Sequence, residues 1–328
     1  MHIPDGFLDG KTMAASAGLA VAGLGFALRR ARQTLLPQRV PLLGLAAAFV
    51  FAAQMLNFPV AGGTSGHLLG GVLSAVLLGP SAAVVVMAAV VIVQCLMFAD
   101  GGVLALGANL LNMAILGPVG GYAVYRLVRR LAPGTRGMVL AAAFAAWCSV
   151  VLAAVSCAGQ LALSRVAPWS LVFSAMTHIH MVIGVGEGMI TGLILAAILR
   201  MRPELLEPAT KPSPRSGYGE LVVYGLLVAG SLALFVAPFA SLWPDGLEKV
   251  AATLGFASRA TAHSAGMAPF PEYRLPGGQS PVWVTAWIGA IGTGVAFGLA
   301  WLLARWLIPG GATSRGGPAS GSPAKAPE

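Results

Sequence analysis

Residues 81–98 read SAAVVVMAAVVIVQCLMF, a run without a single charged side chain. As a helix it would rise about 27 Å, close to the thickness of the hydrocarbon core of a bilayer. One such helix could sit inside a soluble domain, but the rest of the chain removes that option. Of its 328 residues 57% are hydrophobic and 9% charged, with a mean hydropathy of +0.82. That leaves too little polar side chain to cover a water-exposed surface. Working outward, similar apolar runs at about 13–28, 41–58, 103–125, 137–161, 170–198, 220–239 and 282–307 predict further crossing helices. The segment GHLLGGVLSAVLLGP, ending at Pro80, is too short to cross alone and reads as a half-span, or as one entered through its glycines. Such a segment is tolerated only where neighbouring protein satisfies its backbone. The expected fold is an all-α integral membrane protein: a helical bundle of about seven transmembrane spans plus a two-span C-terminal appendage with an outside loop.

The chain is basic, with a net charge of +9. Its cations stand in short groups at the ends of apolar runs, which is how they orient a membrane protein rather than how they bind nucleic acid. Arg29, Arg30, Arg32 and Arg39 form one group; Arg126, Arg129, Arg130 and Arg136 a second; Arg200, Arg202, Lys211 and Arg215 a third; Arg305, Arg315 and Lys325 a fourth. Placing these groups in the cytoplasm predicts a multi-pass protein of the bacterial plasma (inner) membrane, surrounded by lipid, with its N-terminus outside and its C-terminus inside. The Pro-rich stretch 201–219 reads as a cytoplasmic linker between a membrane domain at 1–200 and a two-span domain at 220–308. Residues 309–328 read as a flexible cytoplasmic tail. The outside loop of the second domain carries helix-capping residues around Asp245 and Glu248. Cys95, Cys148 and Cys157 lie inside apolar runs without C-x-x-C spacing, which predicts packing residues.

Two phosphate-binding look-alikes fail on inspection. GFLDGKT at 6–12 has three residues, not four, between its first glycine and the Gly-Lys pair, and no strand before it. GVGEG at 184–188 lies within an apolar span, where small residues serve helix packing. No bound nucleotide and no ATPase activity are expected of this chain.

The start, MHIPDGFLDG, lacks the basic, apolar and small-residue zones of a signal peptide and reads as the mature start. Its second residue is a histidine. A free amine on Met1, the amide nitrogen of His2 and Nδ1 of the His2 ring can close fused five- and six-membered chelate rings on one metal. That leaves one position of a tetragonal nitrogen set, the arrangement preferred by Ni(II) or Cu(II). The second span returns His67 to the same outer side, flanked by Gly62, Gly63, Gly66, Gly70 and Gly71, and His67 is the candidate for the fourth position. Along the span that begins near Trp169, His178, His180 and Glu187 are ionisable groups at membrane depth. His180 and Glu187 share a helical face, and a structural hydrogen-bonding role competes there with a supporting role around the metal. Thr64 and Ser65 are further supporting candidates, and His263 is the remaining histidine. The absence of H-E-x-x-H argues against an intramembrane zinc protease. Gly44, Ala48 and Ala52 form a small-residue row on the second span, and Ala14, Gly18 and Ala22 another on the first. Either row could receive a helix of a partner or pack within the bundle.

MHIPDGFL, GGTSGHLLGGVLSAVLLGP, GANLLNMAILGPVGGYAVYR and HMVIGVGEGMITGL together resemble the CbiM/NikM family, the substrate-binding (S) components of energy-coupling-factor (ECF) ABC transporters for nickel and cobalt. SLWPDGLEKVA with FPEYRLPG resembles the PDGLE domain, a NikN-like part fused to nickel members. The resemblance implies a metal held by Met1, His2 and His67, with Ni(II) the transported ion and Co(II) open on the ligands alone. It also implies a transmembrane coupling (T) subunit and two cytoplasmic ATPase subunits as partners. Other functions compatible with these residues are Co(II) uptake for cobalamin synthesis, a membrane metalloenzyme built on His178, His180 and Glu187, and a copper assembly factor. The appendage is expected to contribute nothing to the metal site itself.

Overall fold

The computed structural model describes residues 1–206, 218–261, 266, 268–275 and 281–308. The first nine residues form a hook that ends at Asp9, whose carboxylate accepts from the Thr12 amide at 2.7 Å and so starts helix α1 (Gly10–Thr34). Helix α2 (Val40–Gln54) carries Pro41 in its first turn, where the missing N–H costs nothing. Its 15 residues rise about 22 Å, and the predicted run to 58 leaves helical form early. The reason is a small antiparallel hairpin that follows: β1 (Phe58–Val60) pairs with β2 (Thr64–Gly66), with Pro59 opposite Ser65. The turn between them uses Gly62 and Gly63 at φ +78° and +68°, which a side chain would strain.

The short segment ending at Pro80 is an 8-residue helix, α3 (Gly71–Leu78), separated by Gly79 from α4 (Pro80–Phe98). Helix α4 is the 81–98 run, and it is the centre of the bundle: Val84 to Val91 are all buried. Helix α5 (Leu106–Asn109) continues through a π-helical stretch, Leu110–Gly120, into α6 (Gly121–Leu131). Pro118 lies in that stretch and cannot donate a hydrogen bond, so the wider winding falls where the regular ladder is broken. The long helices α7 (Gly134–Leu163) and α8 (Trp169–Met201) form a hairpin whose contact explains GVGEG. A Cβ on Gly188 would come within 2.7 Å of the Ala143 carbonyl, and one on Gly184 within 2.9 Å of Trp147.

The C-terminal part comprises α9 (Tyr218–Ser231), prolonged by irregular turns to Phe239, then α10 (Gly246–Thr253) and α11 (Val282–Leu307). Among the described residues six helices are long and apolar enough to cross a membrane: α1, α4, α7, α8, Tyr218–Phe239 and α11. The other expected runs are present as α2, α3 and the broken α5–α6 helix. The polypeptide is therefore a helical membrane protein.

Of the two uses open to the small-residue row on α2, the structure holds packing within the chain. Gly44, Ala48 and Ala52 are covered by the chain's own appendage: Ala48 and Ala52 pack with Ala229 and Ala233, and a Cβ on Gly44 would lie 3.0 Å from Phe297. Small side chains let these helices approach closely, and the appendage occupies the face that a coupling subunit would need. Ala14, Gly18 and Ala22 on α1 remain exposed. Most of the linker 201–219, the tail 309–328 and His263 lie outside the described residues.

Candidate metal site

The hook is fixed from Ile3 onward. The Asn109 side chain accepts from the Ile3 amide at 2.8 Å and donates to the Ile3 carbonyl at 3.1 Å, while the Gly102 amide donates to that same carbonyl at 2.9 Å. The Asp5 carboxylate accepts from the Leu104 and Ala105 amides. Only glycine fits at position 102, because a Cβ there would stand 2.0 Å from an Asp5 oxygen. These contacts deliver Met1 and His2 to the mouth of the β1–β2 hairpin, where His67 waits. The His67 ring stacks on that of His2 with centroids 5.6 Å apart, and the Met1 ammonium donates to His67 Nε2 at 3.1 Å. On its other side the ring donates from Nδ1 to the Leu68 carbonyl at 3.0 Å, so Nε2 keeps its lone pair and aims it at the amine. Nitrogen ligands about 2.0–2.1 Å from one metal stand about 2.9 Å apart in adjacent positions. The observed 3.1 Å between amine and Nε2 is close to that spacing.

Two carboxylates hold the hook nitrogens. Asp245 accepts from the Met1 ammonium at 2.6 Å, and Asp100 faces His2 Nδ1 at 3.0 Å. Burial disfavours the ammonium charge, but Asp245 outweighs it and raises the Met1 pKa above its ordinary 8.0. Burial likewise opposes the Asp245 carboxylate; the ammonium overcomes this and holds its pKa below 3.8. His67 is pushed down to about 3, first by burial and then by the ammonium beside it, so its ring is neutral and able to ligate. Asp100 is held at about 2 because the charge and hydrogen bond of His2 outweigh its burial.

Asp245 belongs to the appendage, which the sequence reading kept away from the site. Its role as a helix cap was legible: one oxygen accepts from the Glu248 amide at 2.8 Å, and Glu248 reaches back to the Asp245 amide at 2.9 Å. The second oxygen was free for Met1. Tyr273, also of the appendage, donates to Asp100 at 3.3 Å and stacks on Phe98 at 4.5 Å. A polar cavity of about 540 Å³ opens between the two parts, lined by His2, His67, Asp100, Asp245, Glu248 and Glu272 among others. A second void of about 20 Å³, enough for one water-sized particle, lies inward between Met1, His67, His180 and Asp245.

The supporting candidates separate. Ser65 turns away from the ring and donates to the Trp243 carbonyl at 2.7 Å, while its amide donates to the Pro244 carbonyl at 2.9 Å; it clasps the appendage beside Asp245. Thr64 is buried within β2. Glu187 accepts from the Leu69 and Gly70 amides at 2.5 and 2.9 Å and so fixes the loop that follows His67. His180 donates to the Met176 carbonyl and packs on Gly246, where a Cβ would fall 2.7 Å from the ring. His178 is exposed and bonded to the Ser174 carbonyl, apart from the hook. Among the described residues no group of three or more His, Cys, Asp or Glu side chains is placed to hold a metal.

The family model for CbiM, described as a cobalt uptake substrate-specific transmembrane region, matches residues 2–205. The chain belongs to the CbiM family. The PDGLE domain model matches residues 219–308 of this CbiM-family chain. A protein of Archaeoglobus fulgidus named as a fused nickel transport protein NikMN is 36% identical over 308 residues, covering 93% of this chain and 99% of its own length. The fused nickel transport protein NikMN of Rhodobacter capsulatus is 35% identical over 304 residues, covering 85% of this chain and 84% of its own. The crystal structure of a truncated transition metal transporter aligns with a TM-score of 0.56 at 34% identity, covering 61% of this chain and 99% of that one. Membership makes this a multi-pass membrane protein of metal transport, not an enzyme.

Proposed function

We propose that this protein is the substrate-capturing S component of an ECF-type importer, and that its cargo is Ni(II). The cargo is bound by the Met1 amine, the amide and Nδ1 of His2, and Nε2 of His67. The observation that carries this reading is the convergence of the Met1 amine and the neutral His67 Nε2, 3.1 Å apart, beside the His2 ring. Three hook nitrogens and His67 make a set of four nitrogens, which favours Ni(II) or Cu(II) over the oxygen-seeking cations. Co(II) remains the alternative cargo, since the family model is described by cobalt uptake, while the two fused relatives are named for nickel. In this reading the N-terminus and the polar cavity face outward and the Arg groups face the cytoplasm. A coupling subunit and two ATPase subunits complete the importer, and the exposed Ala14, Gly18 and Ala22 row on α1 is the face we assign to the coupling subunit. The test is uptake of labelled nickel and of labelled cobalt in cells that express the chain with those partners, together with metal analysis of the purified protein. Partner-dependent nickel uptake is expected; uptake of cobalt alone would overturn the choice of ion.

A further inference from the structure

The run 81–98 carries, near the end that meets the hook, one amide side chain of great consequence for it. Gln94 is fully buried in α4, and Gln54 of α2 is 5% exposed. Together they make a chain of amides whose direction is set at one end. The Leu69 carbonyl can only accept, so the Gln54 side chain must present its N–H to it, at 2.8 Å. That leaves the Gln54 oxygen to accept from the Gln94 amide nitrogen at 2.7 Å. The Gln94 oxygen then faces His2 Nε2 at 3.1 Å. An amide oxygen only accepts, and Nε2 must carry the proton. The Leu69 peptide that starts the chain is itself held by Glu187, so the loop bearing His67 and the ring of His2 are joined through α8, α2 and α4.

We propose that Gln94, oriented through Gln54 by the Leu69 carbonyl, is a positioning residue that keeps the His2 ring proton on Nε2 and so assigns Nδ1 to the metal. This rests on the chelate described above, whose six-membered ring can close only through Nδ1. Nδ1 faces Asp100, and Tyr273 steadies that carboxylate from the appendage. A metal bound at Nδ1 would take the place of the proton that Nδ1 shares with Asp100, which would leave with that carboxylate or with water, while the Nε2 proton stays on Gln94. The ring need not turn over.

The test uses the full chain in detergent or lipid discs with Ni(II) as the probe. Gln94→Met fills the same space without an acceptor, and Gln94→Glu keeps an oxygen toward Nε2 while giving up the N–H that Gln54 accepts. Loss of a group that orients a ligand histidine typically costs 10- to 100-fold in metal affinity. Gln94→Met is expected to lose affinity in about that range, with a changed Ni(II) absorption band, whereas Gln94→Glu retains the wild-type band and stays within about threefold. Gln54→Met leaves Gln94 in place but frees its amide to turn, and it should give the same change at smaller size; it decides the matter where Gln94→Met does not fold. Wild-type affinity and band in Gln94→Met would overturn the proposal. Equal loss in the Met and Glu variants would also overturn it, reducing Gln94 to packing. His67→Ala separates the two levels: if it leaves nickel binding intact the chelate itself is wrong, and if it abolishes binding while Gln94→Met does not, only the positioning role falls.

Discussion

Consider a single glycine added between Met1 and His2. Every side chain survives, and the chain from Ile3 onward is pinned by Asn109, by the Gly102 amide and by the Asp5 carboxylate. The added residue therefore has nowhere to be absorbed except at the amine, which can move by up to about 3.8 Å. The contacts at stake are 2.6 Å to Asp245 and 3.1 Å to His67, and neither survives a shift of that size. Separating a buried carboxylate from its partner costs about 3–5 kcal/mol, and Asp245 is 17% exposed, which brings the figure down to about 2–3 kcal/mol. At 1.4 kcal/mol per factor of ten this is roughly 30- to 150-fold in the seating of the hook. The metal must displace the proton that Asp245 holds on the amine, so nickel affinity falls for a separate reason, the removal of the amine from its place beside His67 Nε2. The loss should appear in nickel affinity measured by competition with a chelator of known strength, and in uptake. The inserted residue must be shown intact by mass spectrometry, and membrane expression must match the wild type. Wild-type affinity from the intact, longer hook would remove the free amine from the ligand set and refute the reasoning.

His67→Ala is expected to abolish high-affinity nickel binding at normal expression; retained binding would dismiss the site. Asp245→Asn keeps the cap of α10 and removes only the ammonium partner, whereas Asp245→Ala also loses the cap, worth about 1 kcal/mol. Limited proteolysis of the 240–260 loop should therefore rank Ala above Asn above wild type, and equal protection in all three would contradict the contact. The pH dependence has two signs. The Met1 pKa is raised from 8.0, so its share of the ion pair is full below 8.0 and lost as pH climbs through the raised value. The Asp245 pKa is lowered from 3.8, so its share is full above 3.8 and lost as pH falls through the lowered value. Thermal stability of the metal-free protein should be flat in this respect between those limits. Nickel affinity should instead rise with pH across 6.5–8, by about tenfold per unit for each proton that the metal displaces. A flat affinity profile would contradict ligation by the amine.

The membrane helices were legible because length and apolarity decide them, and 81–98 alone nearly sufficed. The hairpin at 58–66 was not, since three-residue strands carry no periodicity; the glycines marked a tight loop and nothing more. His2 and His67 could be paired from the sequence because a chelating N-terminus requires a fourth ligand on the same side. Asp100, Gln94, Gln54 and Asn109 could not, because each is a lone polar residue in or beside an apolar run, and its partner lies tens of positions away. Asp245 was read through its nearest neighbours as a cap, which it is. A carboxylate has two oxygens, and sequence spacing accounted for one.

The Met1–Asp245 contact joins residues 244 positions apart. Asp245 is synthesised long after Met1, and it is carried to the hook only once α9 is in place. Until then the amine has no carboxylate to meet, and the hook must wait beside His67 with its strongest tether missing. Contacts of such long separation form late in folding. The order of manufacture thus ties the seating of the first residue to the completion of the chain: the hook is closed only when the segment before the last helix is in place.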